Sequence, residues 1–210
     1  MNNRYQLVLF DVDSTLIEQE VIDLLAQRTA HGSIVAEITK RAMAGEIDFD
    51  QALRERVSLL RGLHESILDE MKEEITFSPG ALDLIQELQR RNIRVGAVSG
   101  GFLNVLNPLF SKLNLDYLLA NTLEISESVI TGKVLGPIVN RAVKKQSLLD
   151  FAAQFNIHLD ATVAVGDGAN DLEMIQTAGL GVSYRGKPIL NEAADLVLSG
   201  PRLDELLKYL

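Results

Sequence analysis

The feature that most constrains the fold is a short apolar run, Leu7–Phe10, which stops at Asp11 and Asp13. A run of this length, rich in Val and Leu and bounded by polar residues, predicts a strand buried on both faces of a parallel sheet. Ligands of open α/β sheets bind just beyond the carboxyl ends of the strands. Both aspartates lie at such an end, and their i, i+2 spacing puts the two carboxylates on one side if the backbone stays extended through Val12.

Two carboxylates this close repel each other, so one takes up a proton unless a cation relieves the repulsion. The pair therefore favours a site for a divalent cation. Taken alone, Asp11 and Asp13 are equally compatible with two exposed aspartates that simply end a strand. The polar clusters that follow other predicted strands decide between these interpretations.

The composition excludes several classes of function. The 210 residues include no cysteine, which excludes disulfides, cysteine-ligated metals and thiol catalysis and is typical of a reducing compartment. A net charge of −9, without a block of Lys and Arg, argues against nucleic-acid binding. Residues 1–6 are polar and no apolar stretch approaches ~20 residues, so we predict neither a signal peptide nor a membrane span. We expect a cytoplasmic protein with a small-molecule substrate, either a monomer or a homodimer.

A long helical stretch separates the first strand from the next. Apolar residues recur at helical spacing after Leu16, and further helices are predicted at about 33–44, 49–61 and 65–75, the second of these capped by Asp48. A crossover between neighbouring parallel strands needs only about a dozen residues. The excess predicts a helical cap subdomain at residues 15–76, inserted into a core formed by residues 1–14 and 77–210.

Strands and helices alternate through the rest of the chain. The strands are predicted at 93–98, 117–120, 162–165, 181–183 and 196–198, with a β-hairpin at 122–136. The helices between and after them are predicted at 81–91, 102–113, 142–155, 169–178 and 202–209. This alternation predicts an α/β fold, a doubly wound, Rossmann-like and mostly parallel sheet with right-handed crossovers.

Four polar clusters follow a predicted strand or begin a helix, where parallel topology brings them to one sheet edge. They are Asp11/Asp13, Ser99-Gly100-Gly101, Lys144 and Gly166–Asp171. Carboxylates, a hydroxyl, an ammonium group and glycine N–H groups together suit phosphoryl transfer. The carboxylates of Asp11 and Asp167 could bind Mg²⁺, and Asp171 could hold a metal-bound water.

Each remaining role follows from what phosphoryl transfer needs. An aspartate such as Asp11 can attack phosphorus, and Asp13 beside it can protonate a leaving alcohol and later activate water. Ser99 and the Gly100 N–H, which we expect at a helix N-terminus, can hold phosphate oxygens. Lys144 can neutralise their charge; it shares a helix face with apolar residues, although periodicity alone does not exclude Lys145.

At this point the motifs resemble a known family. Asp11-Val12-Asp13-Ser14-Thr15, Ser99-Gly100-Gly101-Phe102, Lys144 and Gly166-Asp167-Gly168-Ala169-Asn170-Asp171 are similar, in this order, to the motifs of the haloacid-dehalogenase-like phosphatases, and most similar to those members that act on phosphoserine. The similarity runs from about residue 5 to 210. It implies a phosphomonoesterase that uses Mg²⁺ and an aspartyl-phosphate to hydrolyse O-phospho-L-serine, the last step of serine biosynthesis.

The resemblance also implies roles that spacing alone does not give. Asp11 would be the nucleophile and Asp13 the acid and base, with Mg²⁺ on Asp11, the Asp13 carbonyl and Asp167. The phosphate or the nucleophile would be contacted by Ser99, Gly100, Lys144 and Asn170. In the cap, Glu20 would hold the substrate ammonium group and Arg56 its carboxylate, and Met43 and Phe49 would close over the site.

Each cap residue also has an ordinary structural interpretation. Glu20 could be a solvated helix residue, Arg56 an arginine with a packed stem, and Met43 and Phe49 plain core. Arg56 flanks an apolar stripe, whereas Arg54 points more outward. The three histidines have no ligand spacing and receive no role. Two other functions stay open: a phosphatase for another small ester, such as phosphohomoserine or phosphoethanolamine, and a phospho-acceptor domain without turnover.

Overall fold

A seven-stranded sheet organises the computed structural model, which describes residues 4–210. Its strands are β1 Leu7–Phe10, β2 Arg94–Phe102, β3 Tyr117–Ser126, β4 Val129–Leu135, β5 Thr162–Gly166, β6 Leu180–Tyr184 and β7 Leu196–Leu198. Their order in the sheet is β4-β3-β2-β1-β5-β6-β7. All neighbouring pairs are parallel except β3 and β4, which form an antiparallel hairpin. The predicted doubly wound α/β fold is confirmed.

The first strand lies at the centre of this sheet. β1 pairs with β2 on one side and with β5 on the other, so the chain winds outward in both directions from it. Val8 and Phe10 belong to the apolar core on one face, while Leu7 and Leu9 belong to the core on the opposite face. Burial on both faces explains why the run has no polar alternation.

Helices cover both faces of the sheet. The nine α-helices are α1 Val21–Ala26, α2 Gly32–Met43, α3 Phe49–Ser58, α4 Ile67–Glu70, α5 Ala81–Arg90, α6 Leu103–Phe110, α7 Arg141–Gln154, α8 Leu172–Thr177 and α9 Pro188–Asn191 within the described range. Helices α5 and α6 pack on the Val8/Phe10 face, and α7, α8 and α9 pack on the Leu7/Leu9 face. Four 3₁₀ segments occur within residues 4–210: Met71–Glu73, Leu159–Ala161, Ala169–Asp171 and Leu203–Lys208. No helix in the described part of the chain is long and apolar enough to cross a membrane.

Several element boundaries differ from those predicted. Leu16 and Ile17 are not helical, because Ile17 forms a β-bridge with Phe77 where the chain leaves and re-enters the core. The stretch predicted as one helix at 65–75 is split into α4 and a 3₁₀ segment, and the last predicted helix is 3₁₀ throughout. Helix α9, which begins with Pro188, was not predicted.

Backbone hydrogen bonds hold the segment between β1 and α5 at two places; its residues 15–76 are called the insert below. At its ends, the Glu18 N–H donates to the Thr76 carbonyl at 2.9 Å and the Ser78 N–H donates to that of Leu16 at 2.9 Å. Beyond α3, the Gly62 N–H donates to the Ile130 carbonyl of β4 at 3.0 Å. The Ile130 N–H donates to the Leu63 carbonyl at 2.9 Å. The insert is therefore bonded to the edge hairpin as well as to its own linkers.

Candidate active site

Two acidic residues from distant parts of the sequence meet at the centre of the sheet. β1 and β5 are neighbours with Phe10 opposite Val165, so both strands end at the same level. The Asp11 N–H donates to the Val165 carbonyl at 2.8 Å, and Asp11 and Asp167 are each 1% exposed. The strand register thus brings together the two carboxylates that the sequence predicts as cation ligands.

Helix α7 carries Lys144 into the same place. Asn140 caps this helix by accepting a hydrogen bond from the Val143 N–H at 3.1 Å, and Lys144 follows one residue later. The fully buried ammonium group lies 2.5 Å from Asp11 Oδ1 and 2.6 Å from Asp171 Oδ1. Burial opposes the charge of Lys144, but the two carboxylates outweigh it and raise its pKa. Lys145 points elsewhere, 3.9 Å from Glu173.

Asp171 has both of its carboxylate oxygens engaged. Oδ1 binds Lys144, and Oδ2 accepts the N–H groups of Asp167 and Gly168, each at 3.2 Å. In the structure, Asp171 therefore fixes the turn after β5 and orients the lysine. Its role as the holder of a metal-bound water stays a prediction.

The buried carboxylates fit a hard divalent cation. Asp11 Oδ2 and both carboxylate oxygens of Asp167 are buried without a hydrogen bond, and oxygens of Asp11, Asp167 and Asp171 lie within 4.8 Å of one another. Burial, followed by the charge of Asp171, raises the pKa of Asp11 to about 7. Burial, followed by the charge of Glu20, raises the pKa of Asp167 well above its usual range. A cation with a preference for oxygen ligands would relieve this repulsion.

Asp13 lies at the boundary between the core and the insert. Its Oδ2 accepts a hydrogen bond from Ser99 Oγ at 3.3 Å, and its Oδ1 accepts one from the Val21 N–H at the start of α1 at 3.4 Å. Burial, followed by the charges of Glu20 and Asp11, raises the pKa of Asp13 well above its usual value. A raised pKa makes a carboxyl group better suited to act as a general acid.

The position of Gly100 differs from the prediction. We expected Ser99 and Gly100 at a helix N-terminus, but β2 continues to Phe102 and α6 begins only at Leu103. Ser99 Oγ accepts the Gly101 N–H at 2.7 Å, and Asn121 Nδ2 donates to the Gly100 carbonyl at 2.8 Å. Gly100 is therefore a strand residue, at an irregularity where the pairing of β2 with β3 shifts between Ser99 and Phe102.

The insert contributes the residues of opposite charge, Arg56 and Glu20. Arg56 is 3% exposed, whereas Arg54 on the same helix is exposed. Arg56 donates from Nε to the Ala52 carbonyl at 3.1 Å and from Nη1 to Thr39 Oγ1 at 3.0 Å. An arginine has five N–H donors, so the guanidinium group keeps donors for a substrate. Half-buried Glu20 accepts a hydrogen bond from Ser14 Oγ at 2.7 Å, and burial raises its pKa.

Met43 and Phe49 press directly on glycines of the core. A Cβ at Gly100 would lie 2.8 Å from Cζ of Phe49, and a Cβ at Gly168 would lie 2.6 Å from Cε of Met43. A side chain at either glycine would force the end of Phe49 or Met43 to shift. The two side chains thus lie directly on Gly100 and Gly168, and their role as a cover stays a prediction.

One small cavity lies between the insert and the core. Its lining combines the acids of the core with the charged and apolar residues of the insert: Asp11, Asp13, Glu20, Ile22, Met43, Phe49, Leu53, Arg56, Gly100, Gly101 and Asn170. Its volume of about 20 Å³ is room for one water molecule. Asn170 Oδ1 is buried without a hydrogen-bond partner. Ser99, Lys144, Asp167 and Asp171 support this cavity from the core.

Three supporting residues were not predicted from the sequence. Thr39 bridges Arg56 to Asp23, whose Oδ1 accepts the threonine hydroxyl at 2.6 Å. Asn121 links two segments of the core. Its Nδ2 donates to the Gly100 carbonyl, and its Oδ1 accepts a hydrogen bond from the Val139 N–H at 2.8 Å. Asn140 caps the lysine helix. Asn121 carries a signal that could have been used, since it is a polar residue directly after the apolar run Tyr117–Ala120.

Comparison with known proteins agrees with this geometry. The haloacid dehalogenase-like hydrolase family matches residues 8–176. The phosphoserine phosphatase of Streptococcus thermophilus is 47% identical over 204 residues, which cover 97% of this chain and 95% of that protein. That of Mycobacterium tuberculosis is 47% identical over 202 residues, which cover 96% of this chain and 49% of that protein. The chain thus spans about half the length of some curated relatives and almost all of others.

A solved structure described as a phospho-aspartyl intermediate analogue of phosphoserine phosphatase has the same backbone. Its TM-score is 0.95 at 42% identity, and the superposition covers 99% of this chain and 100% of that chain. The family match, the relatives and the fold agree, and this chain belongs to the haloacid dehalogenase-like hydrolases, in their phosphoserine phosphatase group.

Proposed function

We propose that this protein is a Mg²⁺-dependent phosphatase that hydrolyses O-phospho-L-serine to L-serine and phosphate through an aspartyl-phosphate. The observation that carries the proposal is the shared cavity: Glu20 and Arg56 face the acids Asp11 and Asp13 across it. An amino acid phosphate carries one ammonium group, one carboxylate and one phosphate. The cavity offers each of them a partner of opposite charge or a hydrogen-bond donor.

The chemistry divides between two aspartates. The Asp11 carboxylate attacks phosphorus, the P–O bond to serine breaks, and Asp13 gives its proton to the departing serine oxygen. Asp13 then takes a proton from water, the water oxygen bonds to phosphorus, and the aspartyl–phosphorus bond breaks. Lys144, 2.5 Å from Asp11, balances the charge of the nucleophile in both steps.

Other side chains bind and orient the substrate. Ser99, the Gly100 N–H and Asn170 are the proposed ligands of the phosphate oxygens, with Lys144 adding positive charge. Asp11, Asp167 and the Asp13 carbonyl would hold Mg²⁺, which supplies positive charge next to the phosphoryl group. Glu20 would bind the ammonium group and Arg56 the carboxylate of serine.

The insert would act as a cap, with Met43 and Phe49 as its cover. Phosphoserine is much larger than the cavity of about 20 Å³, so the cap must open to admit it and close again to exclude bulk water. The division into a core of residues 1–14 and 77–210 and a cap of residues 15–76 stays a prediction. The same holds for the cytoplasmic location and for the last step of serine biosynthesis.

A panel of phosphate esters tests the proposal. Phosphate release should be fastest from phospho-L-serine and at least tenfold slower from phosphoethanolamine, which lacks the carboxylate that Arg56 would bind. Phosphohomoserine, one methylene longer, should also be a poorer substrate. Equal rates on phosphoserine and phosphoethanolamine would reject recognition of an amino acid. A single stoichiometric burst without further turnover would indicate a phospho-acceptor domain.

Arg56→Ala should change the specificity rather than the chemistry. We expect kcat/KM for phosphoserine to fall about 100-fold, the value of two charge-assisted hydrogen bonds, with a much smaller change for p-nitrophenyl phosphate. Arg54→Ala is the matched control, because Arg54 lies on the same helix and is exposed. An equal loss on both substrates would remove Arg56 from carboxylate recognition.

A further inference from the structure

Within residues 4–210, the α2–α3 edge of the insert makes no backbone hydrogen bond to the core. The linkers and the segment after α3 are joined to the core by backbone hydrogen bonds, but the turn between α2 and α3, residues 44–48, faces the core across a cleft of about 300 Å³. The far wall of the cleft is formed by residues 140–142 together with Ala169, Asn170 and Glu173. Phe49 and Asn170 line both this cleft and the inner cavity. The cleft is therefore the direct approach from outside to the buried acids.

A pair of hydrogen bonds spans this cleft. Asn140 Nδ2 donates to Asp50 Oδ1 at 3.0 Å and lies 3.2 Å from Oδ2. Asp50 is in the first turn of α3, next to Phe49, and Asn140 precedes α7 in the core. Both residues are half-buried. The bond thus joins the free edge of the insert to the core beside the cover residue.

The side-chain oxygen and the backbone carbonyl of Asn140 support the first turn of α7, which carries Lys144. Asn140 Oδ1 accepts the Val143 N–H at 3.1 Å, and the Asn140 carbonyl accepts the Lys144 N–H at 2.8 Å. One side chain therefore contacts the free edge of the insert through its nitrogen and fixes the first turn of α7 through its oxygen. That turn places Lys144 on Asp11.

We propose that Asn140 is a positioning residue and that its bond to Asp50 is a latch, which holds the α2–α3 edge closed over the reacting groups and ties closure to the placement of Lys144. The inference rests on the proposed function for its effect on kinetics, but the latch itself can be measured without turnover. Its loss should let the edge open more often, so that the closed complex forms less readily. We expect KM for phosphoserine to rise about tenfold, which is the loss expected from one hydrogen bond to a charged group. The kcat value should stay within a factor of about three of the wild type.

Two substitutions break the latch from opposite sides. Asp50→Ala removes the acceptor, and Asn140→Ser removes the donor while keeping an oxygen that can cap α7. Asp50→Asn removes the charge but keeps an acceptor oxygen, so its effect should be clearly smaller than that of Asp50→Ala. The matched control is Glu46→Ala, an exposed acid of the same turn whose carboxylate lies 3.6 Å from Arg41 within the insert.

Amide hydrogen exchange gives the readout that does not depend on catalysis. With Mg²⁺ and inorganic phosphate present, residues 44–50 should exchange several-fold faster in Asp50→Ala and in Asn140→Ser than in the wild type and in Glu46→Ala. The double variant should be no faster than either single variant, because both remove the same bond. The Val143 amide should stay protected in Asn140→Ser, which separates the latch from unravelling of α7.

Two results would overturn the latch. One is unchanged exchange at residues 44–50 in Asp50→Ala; the other is additive effects of the two substitutions. If the wild type fails to hydrolyse phosphoserine, the proposed function falls, while the exchange experiment still decides whether the bond closes this edge.

Discussion

Asp11→Asn is expected to lower the rate of phosphate release from phosphoserine by a factor on the order of 10⁴–10⁶. Losses of this size are typical when the nucleophile of a set of cooperating catalytic residues is removed. The fold should survive, because the substitution removes a buried carboxyl whose pKa is raised to about 7 and leaves Lys144 its second partner at 2.6 Å. Thermal unfolding of the variant should therefore match or exceed that of the wild type.

Covalent trapping checks the same prediction directly. Wild-type enzyme quenched in acid during turnover should carry a phosphoryl group on the peptide that contains Asp11, and the asparagine variant should carry none. Asp160→Asn provides the control, since this carboxylate is exposed and far from the cavity. Activity within tenfold of the wild type, after slow deamidation has been excluded by mass spectrometry, would contradict the covalent mechanism.

Removal of the divalent cation is expected to reduce turnover by about 10³-fold or more, because the site then loses a charge interaction worth several kcal/mol. Binding should also be visible in stability. Saturating Mg²⁺ should raise Tm by about 5–10 °C, and Asp167→Asn should abolish most of this shift. An unchanged Tm in the wild type would mean that the oxygens of Asp11 and Asp167 that lack a hydrogen bond do not bind the ion.

The pH dependence of this shift follows from the direction of the pKa changes. Burial, followed by the charge of Asp171, raises the pKa of Asp11 to about 7. The protonated carboxyl therefore contributes to the stability of the folded state, fully below its unfolded pKa. This contribution to the free energy of unfolding is lost as pH rises through about 7. The metal-free protein should therefore become less stable from pH 5 to pH 8. Because Mg²⁺ binds the ionised form, the stabilisation by Mg²⁺ should be larger at pH 8 than at pH 6, and the opposite order would contradict the assignment.

Much of the core of the site could be predicted because it depends on topology. Once Leu7–Phe10 and Thr162–Gly166 are recognised as parallel strands, the meeting of Asp11 and Asp167 follows from strand ends. The apolar face that Lys144 shares favoured it over Lys145, which periodicity alone does not exclude, and the family resemblance supported the same choice. The meeting of the two aspartates uses only periodicity and the rule that such ends meet at one sheet edge.

The rest depends on contacts that have no local pattern in the sequence. Thr39 on α2 and Asp23 on α1 buttress Arg56, and Asn121 ties Gly100 to the segment before α7. Gly100 was wrongly expected at a helix start, because β2 continues to Phe102 and α6 begins only at Leu103. These polar partners are separated by 16 to 21 positions in the sequence, and such tertiary contacts are not encoded as a local spacing.

The pairing of residues 62–65 with the edge hairpin has a consequence for exchanging parts between relatives. Because the Gly62 and Glu65 N–H groups donate to carbonyls of the hairpin, a transplanted insert without that hairpin would leave backbone groups unpaired at its margin. The natural module for a specificity graft is therefore discontinuous: the helices of the insert together with the β3–β4 hairpin on which they rest, although more than 60 residues of chain separate Glu65 from Ser128.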